Sequence, residues 1–92
     1  MDYEWDPAKD VENRRNHGLT LADRIPALED PNAESWIDDR FDYGEERILT
    51  LGLNQAHVLL VVTTEPDVEL TRIISVRRAE RHEEGWYYQG KP

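Results

Sequence analysis

Ninety-two residues and 10.8 kDa leave room for a single domain, 1–92, because a second hydrophobic core needs roughly 50 residues of its own. Eleven Lys and Arg against 20 Asp and Glu give a net charge of −9, which argues against a protein that coats nucleic acid with a broadly basic surface and suits a basic partner or a small basic site on an acidic body. The absence of cysteine excludes a disulfide framework, a thiolate metal site and a thiol nucleophile. The longest uninterrupted apolar run, Val58 to Val62, is far short of the roughly 20 residues that span a bilayer. The opening Met1-Asp2-Tyr3-Glu4 is acidic, unlike a signal peptide. The expectation is a cytoplasmic protein with no membrane association. A charged fraction of 34% is compatible with disorder, but three Trp, four Tyr and the apolar runs at 48–53 and 58–62 predict a folded chain.

Tyr3-Glu4-Trp5 alternates apolar and polar, a short strand candidate. Asp6-Pro7 then reads as a helix start: the carboxylate accepts from an orphan N–H, and proline loses nothing at the first helical position. This helix is predicted to run to about Asn16, with Gly18 just past its end. Arg14, Arg15 and His17 lie where the helix dipole favours cations. Thr20 with Asp23 resembles a capping pair, and Leu21, Ala22, Ile25 and Leu28 are assigned to one helical face. Pro26 predicts that this second helix is short or kinked, ending near Asp30-Pro31. Glu34 to Asp38 is a strand candidate, followed by a polar turn from Asp39 to Glu45. Arg47 to Leu53 alternates loosely. His57 to Thr64 is apolar and β-branched, the pattern of a central strand. Glu65-Pro66-Asp67 has turn chemistry, Val68 to Val76 is again β-branched, and Arg78 to Tyr88 predicts a final helix. The class is therefore α+β: a small antiparallel sheet with two N-terminal helices and a C-terminal helix, the helices packed on one face.

No phosphate loop, His-x-x-x-His pair or dinucleotide-binding glycine turn is present. His17, His57 and His82 are scattered, so no metal and no cofactor is expected. Asp38-Asp39 and Asp42 read as a solvated loop. The unusual feature is local charge: Arg72, Arg77, Arg78 and Arg81 follow one another in an acidic chain. Guanidinium groups on a rigid strand end suit a phosphate and the charge that develops on it during strand cleavage. The bland alternative is that they pair with Glu69, Glu80, Glu83 and Glu84. Trp86, Tyr87 and Tyr88 could stack on unpaired bases or anchor the last helix. His82 has the chemistry of a general acid or base, and equally reads as a surface histidine.

The motifs fall in a specific order: Trp5-Asp6-Pro7-Ala8-Lys9, Asn13, His17-Gly18, a capped helix and Asp30-Pro31, then Glu46-Arg47, Leu51-Gly52, Leu59-Leu60-Val61-Val62 and Thr64-Glu65. Arg72-Ile73-Ile74-Ser75-Val76-Arg77-Arg78-Ala79 follows, and then Glu83 and Tyr87. In order and spacing, from 5 to 87, the chain resembles the BrnT toxins. That resemblance implies a compact RelE-like fold and the toxin half of a type II toxin–antitoxin pair, which arrests translation by cleaving RNA without a metal. The implied partner is a BrnA-like ribbon-helix-helix antitoxin, in a complex such as a heterotetramer, with DNA reached only through the antitoxin.

Carried onto this chain, the resemblance places Arg72, Arg77 and Arg78 on the family's arginine motif and Tyr87 on its C-terminal tyrosine, with His82 or Tyr87 as acid–base candidate. Lys9, His17, Glu46 and Arg47 fall on other recurring polar positions, and Lys9, His17, Arg47 and Arg81 are the candidates for holding substrate. The chain departs from the pattern at Pro26, at Leu28 near the place of a frequent large aromatic, and at Glu80 and Glu84, which make the arginine cluster less positive. Those two glutamates favour a second reading: a non-catalytic interaction module that acts with its antitoxin in repressing their operon.

Overall fold

The structure, a computed structural model, describes residues 2–39 and 44–91. The elements are β1 (Asp2–Glu4), α1 (Pro7–His17), a 3₁₀ turn (Leu21–Asp23) running into α2 (Arg24–Leu28), β2 (Glu34–Asp38), β3 (Arg47–Asn54), β4 (His57–Asp67), β5 (Leu70–Arg78) and α3 (Arg81–Gln89). The strands form one sheet in the order β1-β5-β4-β3-β2. Part of the turn predicted for 39–45 lies outside the described residues. Among the described residues no helix is long and apolar enough to cross a membrane.

Two expectations of the architecture are corrected. The sheet is mixed, because β1 runs parallel to β5 with Tyr3 opposite Thr71 and Glu4 opposite Arg72, while β2 through β5 are antiparallel neighbours. Parallel strands need a long crossover, and here nearly the whole chain lies between the two, which local patterning cannot report. The helices also occupy both faces. Side chains alternate along a strand, so Leu59 and Val61 join Leu21, Ala27, Ile73 and Val76 on one face. Leu49, Leu51, Val58 and Leu60 pack with Trp36, Trp86 and Tyr87 on the other. The 3₁₀ turn and α2 cover the first face and α3 the second.

Local chemistry explains the elements. The Asp6 carboxylate accepts the Ala8 N–H at 2.9 Å, Pro7 opens α1, and Gly18, at φ 71°, closes it in the left-handed conformation that glycine adopts without steric cost. In the next segment the buried stripe is Leu21, Arg24 and Ala27, with Ala22 exposed, rather than the expected Leu21, Ala22, Ile25 and Leu28. The segment opens as a 3₁₀ turn, where positions three apart eclipse. Pro26 fits because α2 begins at Arg24: it sits in the first turn, where its N–H would have no helical acceptor. Glu65-Pro66-Asp67 stays within β4 instead of turning, with a register irregularity between Thr64 and Asp67 that accommodates the missing proline donor. Gly52 is required by close approach, since a Cβ there would stand 2.0 Å from the Ala27 carbonyl oxygen.

β1 covers only the first three residues of β5, leaving the outer edge of the rest without a strand neighbour. Asn13 of α1 fills that role for Val76. Its Oδ1 accepts the Val76 N–H at 3.0 Å, and its Nδ2 donates to the carbonyl oxygens of Val76 at 2.8 Å and Leu19 at 2.8 Å. Replacing Asn13 with Ala leaves both Val76 backbone groups unpaired at a buried site, at about 1–3 kcal/mol for each. Urea unfolding of Asn13→Ala should show a loss of at least about 2 kcal/mol, with a lower midpoint and an unchanged m-value. A midpoint equal to that of the parent chain would remove Asn13 from this role.

Asp30 ties three elements together. Its Oδ1 accepts the Asn32 N–H at 2.9 Å, its Oδ2 accepts the Leu53 N–H of β3 at 2.8 Å, and the Tyr87 hydroxyl of α3 donates to the same Oδ2. Burial opposes ionisation of this carboxyl, but the bonds from Tyr87, Asn32 and Leu53 together outweigh it and hold the group below its ordinary value of 3.8. The bond to Asp30, aided by burial, pushes the Tyr87 hydroxyl up to about 12 from 10.0. The folded chain therefore favours ionised Asp30, whose contribution to stability is complete above 3.8 and lost as pH falls through the lower folded value. It favours neutral Tyr87, whose contribution is complete below pH 10.0 and lost as pH rises through about 12. An ultraviolet titration should show one of the four tyrosines ionising near pH 12, and Tyr87→Phe should remove that step.

Candidate active site

Three of the four clustered arginines, Arg72, Arg77 and Arg78, share β5 but not a site. Arg72 and Arg77 lie five positions apart along the strand, about 17 Å of rise. Arg72 lies beside β1, opposite Glu4, and its Nε donates to Glu4 Oε1 at 2.7 Å. Both side chains are exposed, so the pair adds little stability, but it joins the two parallel strands.

Arg77 lies opposite Leu60 and Arg78 opposite Leu59, and alternation sends these adjacent side chains to opposite faces of the sheet. Arg77 faces α3 and meets Glu83 as a fork: Nη1 reaches Oε1 at 2.8 Å and Nη2 reaches Oε2 at 2.9 Å. Nη1 also donates to the Arg78 carbonyl oxygen at 3.1 Å. Glu83 Oε1 accepts the Glu80 N–H at 2.8 Å, so one carboxylate caps α3 and docks it on β5. Burial of Glu83 opposes its ionisation, and the bonds from Arg77 and the Glu80 N–H reverse that, holding the carboxyl below its ordinary range. Arg77 is therefore charge-compensated by a buried partner.

Arg78 is exposed on the opposite face, and its Nη2 lies 3.0 Å from His57 Nδ1. In that arrangement the guanidinium donates, Nδ1 keeps its lone pair and Nε2 carries the imidazole proton. His57 begins β4 just after a turn in which Gln55 takes φ 57°. Asn54 anchors that turn by donating from Nδ2 to the Asp23 carbonyl oxygen at 2.9 Å. Arg78, His57, Asn54, Gln55 and Asp23 line a shallow groove of about 190 Å³ with Leu19 and Leu59, and the Asp23 carboxylate is engaged by the Thr20 N–H at 2.9 Å. A phosphate presented here would meet a guanidinium and an imidazole together.

The other predicted residues distribute as follows. Lys9 and His17 line one groove along α1 with Asn16 and Ser75, about 160 Å³ in volume. Glu46 is exposed, and Arg47 is half-buried at the start of β3, opposite Asp38. Arg81 is exposed at the start of α3. His82 stands edge-on to Trp86, ring centroids 4.9 Å apart, in a cleft on the α3 face that Arg77 also lines. The Tyr87 hydroxyl is engaged with Asp30. The structure thus brings together Lys9 with His17 in one groove and Arg77 with His82 in another; Arg72, Arg78, Arg47, Arg81 and Tyr87 line neither.

Two residues escaped the sequence reading. In the sequence His57 reads only as a metal-ligand candidate; its place across the β4–β5 ladder from Arg78 depends on strand register. Arg24 is buried, with its guanidinium 4.2 Å from the Trp5 ring centroid and 4.9 Å from that of Tyr3. Burial lowers its pKa, opposed by charge interactions with Tyr3 and Glu29. Its position three residues after Leu21 was the available signal. Among the described residues no group of three or more His, Asp or Glu side chains is placed to hold a metal ion.

The 1.1 Å crystal structure of the Brucella abortus ribonuclease toxin, BrnT, is similar to this fold with a TM-score of 0.69 and 25% sequence identity, over 88% of this chain and 99% of that chain. No curated protein matches the chain. A family model described as ribonuclease toxin, BrnT, of type II toxin–antitoxin system matches residues 5–83. That span runs from Trp5 over Arg24 through β2–β5 to Glu83, and so contains the Asn13 edge contact, the Arg77–Glu83 fork and the Arg78–His57 pair. With most of its length matched, the chain belongs to the BrnT family of ribonuclease toxins of type II toxin–antitoxin systems.

Proposed function

We propose that this chain is a cytoplasmic, metal-independent endoribonuclease that arrests translation, and that Arg78 and His57 carry the chemistry. The observation that carries the reading is an exposed guanidinium within hydrogen-bond distance of an imidazole, where among the described residues neither group forms an ion pair with a carboxylate. A phosphodiester held by Arg78 draws the guanidinium N–H away from His57 Nδ1, and the freed lone pair accepts the proton of the 2′-hydroxyl. The 2′-oxygen attacks phosphorus to form a 2′,3′-cyclic phosphate, the bond to the 5′-oxygen breaks, and that oxygen takes a proton from solvent water as it departs. Arg78 balances the charge developing on the phosphate oxygens. Lys9 and His17, with Arg47 and Arg81, are cationic or titratable positions along which the RNA backbone is held. A type II toxin has an antitoxin partner; for this chain we assign a BrnA-type ribbon-helix-helix protein, assembled as a heterotetramer and giving the toxin its only route to DNA.

The second reading, a non-catalytic module acting through its antitoxin, is favoured by the engagement of Arg72 with Glu4 and of Arg77 with Glu83. The arginines separate the two. Arg78→Ala and His57→Ala should each slow RNA cleavage by about a hundred- to a thousandfold, the cost of one preorganised electrostatic contact. Each should leave stability within about 0.5 kcal/mol, as for exposed substitutions. Arg77→Ala strands a buried carboxylate and should destabilise the fold by about 3 kcal/mol, the low end for breaking a buried pair because Arg77 keeps some exposure. Cleavage of RNA by the purified chain, persisting under exhaustive chelation, is the direct measurement. Full toxicity of the Arg78→Ala, His57→Ala double variant would move the site elsewhere.

A further inference from the structure

The face opposite the Arg78 groove carries a cleft of about 450 Å³ between β2 and α3. Trp36 of β2 and Trp86 of α3 form an aromatic corner, ring centroids 5.8 Å apart and nearly perpendicular. The Lys91 ammonium lies over both, 5.0 Å from the Trp36 centroid and 5.7 Å from that of Trp86. The carboxylates lining the cleft are Asp38, Asp39, Glu80 and Glu83, against the cations Arg77 and Lys91. Arg77 pairs with Glu83 at 2.8 Å and reaches Glu80 at 3.9 Å, while Asp39 is exposed.

Each of these features selects for positive charge. Indole faces attract ammonium and guanidinium groups through their quadrupole, and the carboxylates add to that field. A nucleic-acid phosphate would meet net negative charge. Lys91, next to the chain's last residue, already shows that a cationic side chain fits the corner.

We infer that this cleft is the seat of a lysine or arginine side chain from a basic segment of the antitoxin, which displaces Lys91 on docking. The inference rests on the chain's having an antitoxin partner, and it puts that partner on the face opposite the Arg78 groove. Lys91 is then an internal competitor, so removing it strengthens binding.

An octa-arginine peptide titrated into the full chain, with the three tryptophan indole N–H signals followed by NMR, tests this. Trp36 and Trp86 should shift, and Trp5, held under Arg24, should not. Lys91→Ala should tighten binding by about twofold to fivefold, the worth of an exposed cation–π contact, while Asp39→Asn should weaken it. Both positions are exposed and neither belongs to the proposed catalytic pair, and the readout needs no RNA cleavage, so it stands or falls apart from the nuclease reading. A peptide that leaves Trp36 and Trp86 unmoved, or that binds more weakly to Lys91→Ala, overturns the proposal. So does a parallel titration in which oligothymidylate, lacking the 2′-hydroxyl and so not cleavable, shifts the same two indoles and the peptide does not.

Discussion

An amide side chain standing in for a strand holds the first half of this molecule to the second. β1 is three residues long and leaves most of the outer edge of β5 bare. An exposed edge invites pairing with another chain, and a buried one must satisfy its backbone groups. Asn13 carries a donor and an acceptor on one rigid amide, and it meets both the N–H and the carbonyl of Val76. A helix is thereby docked against a sheet edge with no strand between them. The third bond, to the Leu19 carbonyl, fixes the chain as it leaves α1, and the 3₁₀ turn follows with Leu21 fully buried.

The rest of the site geometry follows from β5. Once Val76 is turned toward the core with Val61, Arg77 must face α3 and Arg78 must face away. Glu83 takes Arg77 and caps α3 with the same carboxylate, so the position of α3 depends on that arginine. Asp30 fastens the same helix near its other end through Tyr87. Two adjacent arginines therefore divide their work: one is a structural cation bound to a buried acid, the other an exposed cation beside an imidazole. A cluster in sequence is not a cluster in space when its members alternate along a strand.

That division marks the limit of what the sequence discloses. The caps of α1, the runs that become β3, β4 and β5, and the C-terminal helix were legible because capping, apolar patterning and turn chemistry are local. The family resemblance from Trp5 to Tyr87 was legible because it is ordered along the chain. The parallel pairing of β1, the occupation of both sheet faces and the meeting of His57 with Arg78 depend on register between distant segments. Arg24 was hidden for a different reason. Arg24 falls outside the face that an α-helical period assigns to Leu21, Ala22, Ile25 and Leu28, yet a 3₁₀ start places it in line with Leu21 and Ala27, where the rings of Tyr3 and Trp5 face its guanidinium. Pro66 misled in the opposite sense, since a strand irregularity accepts a proline as readily as a turn does.

The net charge of −9 bears differently on the two partners of such a toxin. At physiological ionic strength exposed charges are screened beyond about 8 Å, so at contact an RNA phosphate responds to the groups nearest it, and Arg78 with His57 is a cationic spot on an acidic body. During approach the summed field of the molecule matters, and it repels a polyanion while it attracts a basic protein. The same composition thus slows encounter with RNA and speeds encounter with a basic antitoxin, without any change at the site. The acidic aromatic cleft lies on the α3 face and the Arg78 groove on the opposite face of the same sheet. β5 is the element common to both, with Arg77 at one surface and Arg78 at the other.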